Sequence, residues 1–242
     1  MRILHLILIL SFIFILNSCT TTLYTPNTVN AALLKEKGEI KINLDQNNLQ
    51  TAVAVSDHIG IMANGFFKSF KDSSYKHQGS FAEIGLGYFK PMEEDPVVLE
   101  LFAGAGIGSV SKSQLMAKGN QQYTANFEGR ALKFFVQPEV GFTGKIVDIA
   151  FTPRASFIRY YSFHSTNYTE EELAADYLEN GRITKTIFAF LEPAITARIG
   201  YKWVKLQGQY GMTFNIGGTS IRYPINFLSL GIVVDIAEWY HY

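Results

Sequence analysis

The strongest constraint on this chain is an alternation of apolar and polar residues with a period of two. Val204, Leu206, Gly208, Tyr210, Met212 and Phe214 fall on one face of an extended run, and Trp203, Lys205, Gln207, Gln209, Thr213 and Asn215 on the other. Leu132, Phe134, Val136, Pro138, Val140 and Phe142 likewise oppose Lys133, Phe135, Gln137, Glu139 and Gly141, and the segments after Val147 and Ile187 repeat the split. Successive strand side chains point to opposite faces, so this is the pattern of a β-sheet with one apolar face. The runs exceed the usual 5–6 residues of soluble strands and match the roughly 9–11 needed to cross a bilayer at a tilt.

Strands are predicted near 38–45, 49–56, 59–70, 80–89, 97–110, 127–142, 147–162, 184–198, 203–215 and 225–236. After the first hairpin the connections alternate long and short, as they do in outer-membrane barrels. The expected fold is therefore all-β: a closed antiparallel transmembrane β-barrel of about ten strands, with eight as the alternative if the first hairpin packs elsewhere. A soluble, lipocalin-like barrel would reverse the faces, with an apolar ligand inside and charge outside. Charged residues are only 17% of the chain, against about 25% in a typical soluble domain, which favours lipid outside. Pro138, Pro153 and Pro193 fall within strands, where proline is confined to edges or bulges, and bulges are expected there.

Arg2 and the apolar run over residues 3–16 have the form of a signal peptide, too short for a membrane helix. Leu16-Asn17-Ser18-Cys19 resembles a bacterial lipobox, and Cys19 is the one cysteine of the chain. The expected organisation is a lipoprotein signal peptide at 1–18, a lipidated polar tether at 19–37 and an outer-membrane barrel over 38–242. No acidic residue follows Cys19, and an even strand number puts both barrel ends on the periplasmic side. The lipid anchor is accordingly expected there. The motifs Tyr24-Thr25-Pro26-Asn27, Leu34-Lys35-Glu36-Lys37-Gly38-Glu39 and Val55-Ser56-Asp57-His58-Ile59-Gly60 resemble those of outer-membrane β-barrel lipoproteins of Bacteroidota. That resemblance implies a fold and a location and carries no activity. Trp239-Tyr240-His241-Tyr242 resembles the terminal aromatic signal read by the barrel-assembly machinery.

Formal charge is zero, with 21 basic and 21 acidic residues, which argues against a nucleic-acid partner. Removing residues 1–18 takes away one basic residue, Arg2, and leaves 20 against 21. The presumed lumen face carries Lys41, Lys68, Glu83, Glu100, Lys133, Glu139, Asp148, Arg154, Glu192, Arg198 and Lys205. Such charges must pair in a narrow interior, so a salt-bridged, plugged lumen is expected, with a small-solute or ion pore as the alternative. Gly104-Ala105-Gly106-Ile107-Gly108 lacks the helix a nucleotide loop needs and reads as a strand where the lumen is narrow. Ser56-Asp57-His58 reads as a turn, since consecutive residues do not converge as a triad must.

No enzyme is expected. The alternative, a rim-active hydrolase, would use His77 or His164, which would have to face an acid or serine across the rim. Loop 163–183 holds a capping box, Thr169 with Glu172, ahead of Leu173, Tyr177 and Leu178, with Gly181 as a stop. It is the candidate surface for a protein partner. No metal or cofactor is expected beyond the covalent lipid, and the remaining partners are outer-membrane lipid and the assembly machinery.

Overall fold

The computed structural model describes residues 22–92, 95–119, 121–201 and 203–236. The signal peptide, Cys19 and the terminal aromatics Trp239, Tyr240 and Tyr242 lie outside them. The strands are β1 (Ile40–Asp45), β2 (Asn48–Ala54), β3 (Ile59–Lys71), β4 (Tyr75–Pro91), β5 (Val97–Lys118), β6 (Gln121–Thr143), β7 (Val147–Thr166), β8 (Ile187–Tyr201), β9 (Val204–Met212), β10 (Phe214–Asn215) and β11 (Asn226–Asp235). Two short helices, α1 (Glu170–Ala175) and α2 (Asn180–Ile183), lie between β7 and β8.

From β1 to β9 each strand pairs antiparallel with the next, β9 pairs with β11, and β11 closes on β1, as in Lys41↔Asp235. β9 and β10 pair with β8 in one register on either side of Thr213, so they act as a single stave. The result is a closed ten-stave barrel. The eight-stranded alternative fails because β1 and β2 are both in the wall.

The alternation sorts as the strand pattern dictates. Phe134 is 57% exposed, Ile84 62% and Leu206 60%, whereas Lys133 and Arg154 are 0% exposed. The apolar face is outward and the charged face inward, which is the reverse of the lipocalin-like alternative.

Two connections expected to be long are tight turns. β3 ends at Lys71 and β4 starts at Tyr75, while β5 runs to Lys118 and β6 resumes at Gln121. Pairing persists beyond the apolar wall, as in Lys112↔Phe127 and Ser113↔Asn126. The outward residues become polar there, so the two-residue hydropathy signal disappears while the strands continue.

The prolines cause no bulge. Pro153 pairs in register with Pro193. The β6–β7 ladder stops at Val136↔Ala155 and resumes at Val140↔Phe151 without a shift, with Pro138 and Pro153 facing each other in the gap. Two prolines without N–H groups cannot bond across that step, so the ladder lapses and the register survives. The register shift falls instead between Arg130 and Ala131, which pair with Ser162 and Tyr160. Tyr161 is the extra residue, and it resets the parity so that Tyr160 and Phe163 both point inward.

Candidate functional site in the barrel interior

The largest departure from expectation is the position of residues 22–34. Read as part of a polar tether over 19–37, they run through the barrel interior, and Glu36, Lys37 and Gly38 emerge exposed at its end. Leu23, Tyr24, Asn27, Val29, Ala31, Leu33 and Leu34 are all buried. Leu23 lies at the end of the barrel that carries the β7–β8 and β10–β11 loops: its N–H donates to the Arg222 carbonyl at 3.0 Å and its carbonyl accepts from the Tyr160 hydroxyl at 2.8 Å. Leu34 lies at the opposite end, against Gly60 at the start of β3. The even strand number does place Ile40 and Asp235 at the short-turn end, but the chain before Ile40 comes down through the interior from the long-loop end.

The wall holds this segment by its backbone. Gln209 Nε2 donates to the Val29 carbonyl at 2.9 Å, and the Val29 N–H donates to Gln209 Oε1 at 2.9 Å. The carbonyls of Asn27, Thr28 and Asn30 accept from Arg154, Gln50 and Gln137 at 2.8, 2.9 and 2.9 Å, and the Ala31 carbonyl from Arg198. The N–H groups of Leu33 and Leu34 donate to the Glu100 carboxylate at 2.9 and 2.7 Å, and Lys41 Nζ donates to the Leu33 carbonyl at 2.5 Å. A buried peptide group without a partner costs about 1–3 kcal/mol. The polar lumen therefore does for this segment what neighbouring strands do inside a sheet.

At mid-height four charges meet. Lys133 Nζ is 2.8 Å from Glu83 and 3.9 Å from Glu192, and Arg154 is 2.9 Å from Glu192 and 3.5 Å from Glu83. Tyr24 and Ser156 each donate to Glu192 at 2.5 Å, and Asn64 donates to Glu83 at 3.3 Å. Lys133 also lies over the Tyr24 and Phe81 rings. The set is neutral, and that matters because one charge left alone in such a place is penalised by several kcal/mol.

The other charges predicted for the lumen sort by height. Towards the short-turn end, Asp148 pairs with Lys205 at 2.7 Å, Thr152 donates to Glu139 at 2.7 Å, and Arg198 donates to Gln207 at 2.8 Å. Lys41 reaches Glu39 at 3.0 Å and Asp235 at 3.6 Å. Burial pushes the Glu39 carboxyl up, but Lys41, a hydrogen bond with Asp235 and Lys35 together outweigh that and hold it below the usual glutamate range. Lys68 is the exception: it is exposed, because β3 has left the enclosed part of the barrel at that point. The glycines at 104, 106 and 108 lie where Phe135, Glu83 and Phe81 cross the wall, so a side chain there would meet them.

At the long-loop end an apolar cluster covers the mouth. Phe66, Phe81, Phe163, Phe188 and Phe190 pack with Leu23 and with Leu178, Ile183 and Ile221 from the loops. The predicted capping box forms: Glu172 N–H donates to Thr169 Oγ1 at 3.2 Å, and Thr169 N–H to Glu172 Oε2 at 2.8 Å. Helix α1 ends at Ala175 rather than at Gly181, which instead lies within α2. Burial, together with Asp176 and Glu172, pushes the Tyr168 phenol up to about 12. Arg182 donates to exposed Glu179 at 2.8 Å and holds that carboxyl below its ordinary range.

The two rim histidines are on opposite faces of the wall. His77 points inward and its Nε2 is 2.9 Å from the Thr22 carbonyl. His164 is exposed on the outward side, opposite Glu128, which in turn is opposite Ser111. They line an open groove of about 340 Å³ with Lys76 and Thr166. The acid stands between the hydroxyl and the imidazole, so Ser111 and His164 are two strand spacings apart, about 9.5 Å, too far for proton transfer. Among the described residues no three His, Cys, Asp or Glu side chains are grouped to hold a metal.

Sequence reasoning missed the neutral partners Tyr24, Asn64, Gln50, Gln137 and Gln209. Four of these are inward positions on strands already predicted, so the same alternation could have found them. Tyr24 carried no such signal. The chain matches no protein-family model, and no curated protein or solved structure is similar to it.

Proposed function

We propose that this chain is a lipid-anchored outer-membrane barrel with a structural or interaction role, and that residues 22–34 close its lumen. The observation that carries this reading is the backbone of residues 27–34, bonded at nearly every step to side chains from around the wall. A solute path would have to break those bonds and the neutral Glu83, Lys133, Arg154 and Glu192 cluster together. The ion-pore alternative is therefore the weaker one.

The outer surface supports a membrane setting. Over residues 132–142 of β6 the outward side chains are apolar and exposed. Ten rises of about 3.4 Å at a tilt of about 40° give about 26 Å, close to the apolar band of outer-membrane barrels. Exposed apolar surface on that scale marks an interaction or lipid-facing region. The signal peptide at 1–18, acylation at Cys19 and recognition by the assembly machinery belong to the same reading. The loops over 166–187 and 215–226 would present a partner surface.

Conductance across planar bilayers tests the closure. The purified full-length chain should give no discrete current steps, and a variant lacking residues 23–34 should give them while still showing heat-modifiable gel mobility. Steady conductance by the full-length barrel would overturn this function. Cys19→Ala should abolish palmitate labelling, and undiminished labelling would remove the lipoprotein assignment.

A further inference from the structure

We infer that the mature N-terminus leaves the barrel at the long-loop end, so that an acyl group carried on Cys19 enters the membrane leaflet on that side, opposite the short turns. This rests on the membrane-spanning reading above. Thr22 is fixed at that end, its carbonyl 2.9 Å from His77 Nε2, and the N–H groups of Leu23 and Tyr24 both donate to the Arg222 carbonyl in the β10–β11 loop at 3.0 and 3.3 Å. Cys19 is three residues earlier, and three residues reach at most about 11 Å. Returning to the short-turn leaflet would mean passing an apolar band of about 25 Å. The interior offers no second route, because the segment and the buried charges fill it. The lipid and the loops over 166–187 and 215–226 would then share one face of the membrane. On an outer membrane that is the face away from the periplasm, so the chain would be displayed and anchored from the same side, with its barrel as the passage.

The test uses the full-length chain in intact cells, with Thr21→Lys and a membrane-impermeant amine reagent read by peptide mass spectrometry. Two exposed native residues serve as references, Lys71 at the β3–β4 turn and Lys145 at the β6–β7 turn. The expected result is that the introduced lysine labels to the same extent as Lys71, while Lys145 labels only after permeabilisation. If the introduced lysine follows Lys145 instead, the inference is overturned and the membrane-spanning reading stands. If Lys71 and Lys145 label alike in intact cells, the barrel separates no compartments and both fall. Thr20→Lys repeats the measurement should the first variant fail to show heat-modifiable mobility.

Discussion

The side-chain amide of Gln209 grips the peptide of Val29 from both sides, donating to its carbonyl and accepting from its N–H at 2.9 Å each. One glutamine thus replaces the strand that a buried extended segment would otherwise need. Gln209→Ala should leave two buried backbone groups unpaired, at about 1–3 kcal/mol each. Hydrogen exchange should show the Val29 amide opening far faster while the amides of β6 and β7 keep their protection. Equal protection of Val29 in both proteins would mean that Gln209 is not what holds it.

The mid-height charge cluster should respond to net charge more than to the loss of any one contact. Glu83→Gln leaves Lys133 and Arg154 facing one carboxylate, and should cost about 3–5 kcal/mol. Adding Lys133→Met restores neutrality and should recover most of that loss. The comparison is the midpoint of heat-modifiable mobility in the single and double variants. A double variant no better than the single would show that packing, not charge balance, dominates.

Glu39 sits where the interior segment meets β1, surrounded by Lys35, Lys41 and Asp235. Its carboxyl is held below the ordinary range, so its stabilising contribution is full above the unfolded value of about 4.3 and fades as pH falls through the folded one. The Lys35 N–H donates to Glu39 at 2.5 Å. After correction for intrinsic rates, exchange at Lys35 should accelerate below about pH 4, and Glu39→Gln should remove that dependence.

Gly104 allows Phe135 to lie against the wall, and a Cβ there would strike the Phe135 ring and the Ile84 carbonyl oxygen. Gly104→Val should destabilise the barrel by about 1–3 kcal/mol. Phe135→Ala should rescue it only in part, since the clash with the backbone of β4 remains. Thermal midpoints of the three variants decide this.

Thr169→Ala removes one half of the capping box and should cost about 1 kcal/mol. The loss should appear as faster exchange within α1, with the barrel midpoint unchanged.

Strands were legible in the sequence wherever one face met the apolar exterior, because Leu132, Phe134, Val136 and Val140 then contrast with Lys133, Gln137 and Glu139. Beyond Arg130 that contrast ends: Glu128 and Asn126 face outward and are polar, so β5 and β6 continue without announcing it. Ten of the eleven predicted lumen charges do lie on the inward side; Lys68 alone is exposed. The interior position of residues 22–34 was unreadable for a different reason. Their bonds to the wall are made largely by peptide groups, which every residue carries, so the side-chain composition of Pro26, Asn27 and Thr28 gives no sign of an interior position.

The seam between β1 and β11 has a consequence for how the chain must fold. Val29 and Gln209 are 180 residues apart in sequence, and Lys41 pairs with Asp235 only when the last strand arrives. Contacts between such distant residues are slow to form, because loop-closure entropy is lost before the contact rewards it. Drawn in after the ring is shut, residues 22–34 would have to thread the lumen end to end, past the inward side chains that grip them. Placing that segment while the wall is still incomplete avoids the threading, and the remaining staves then assemble around it. Barrel formation is in that sense a wrapping reaction around its own N-terminus.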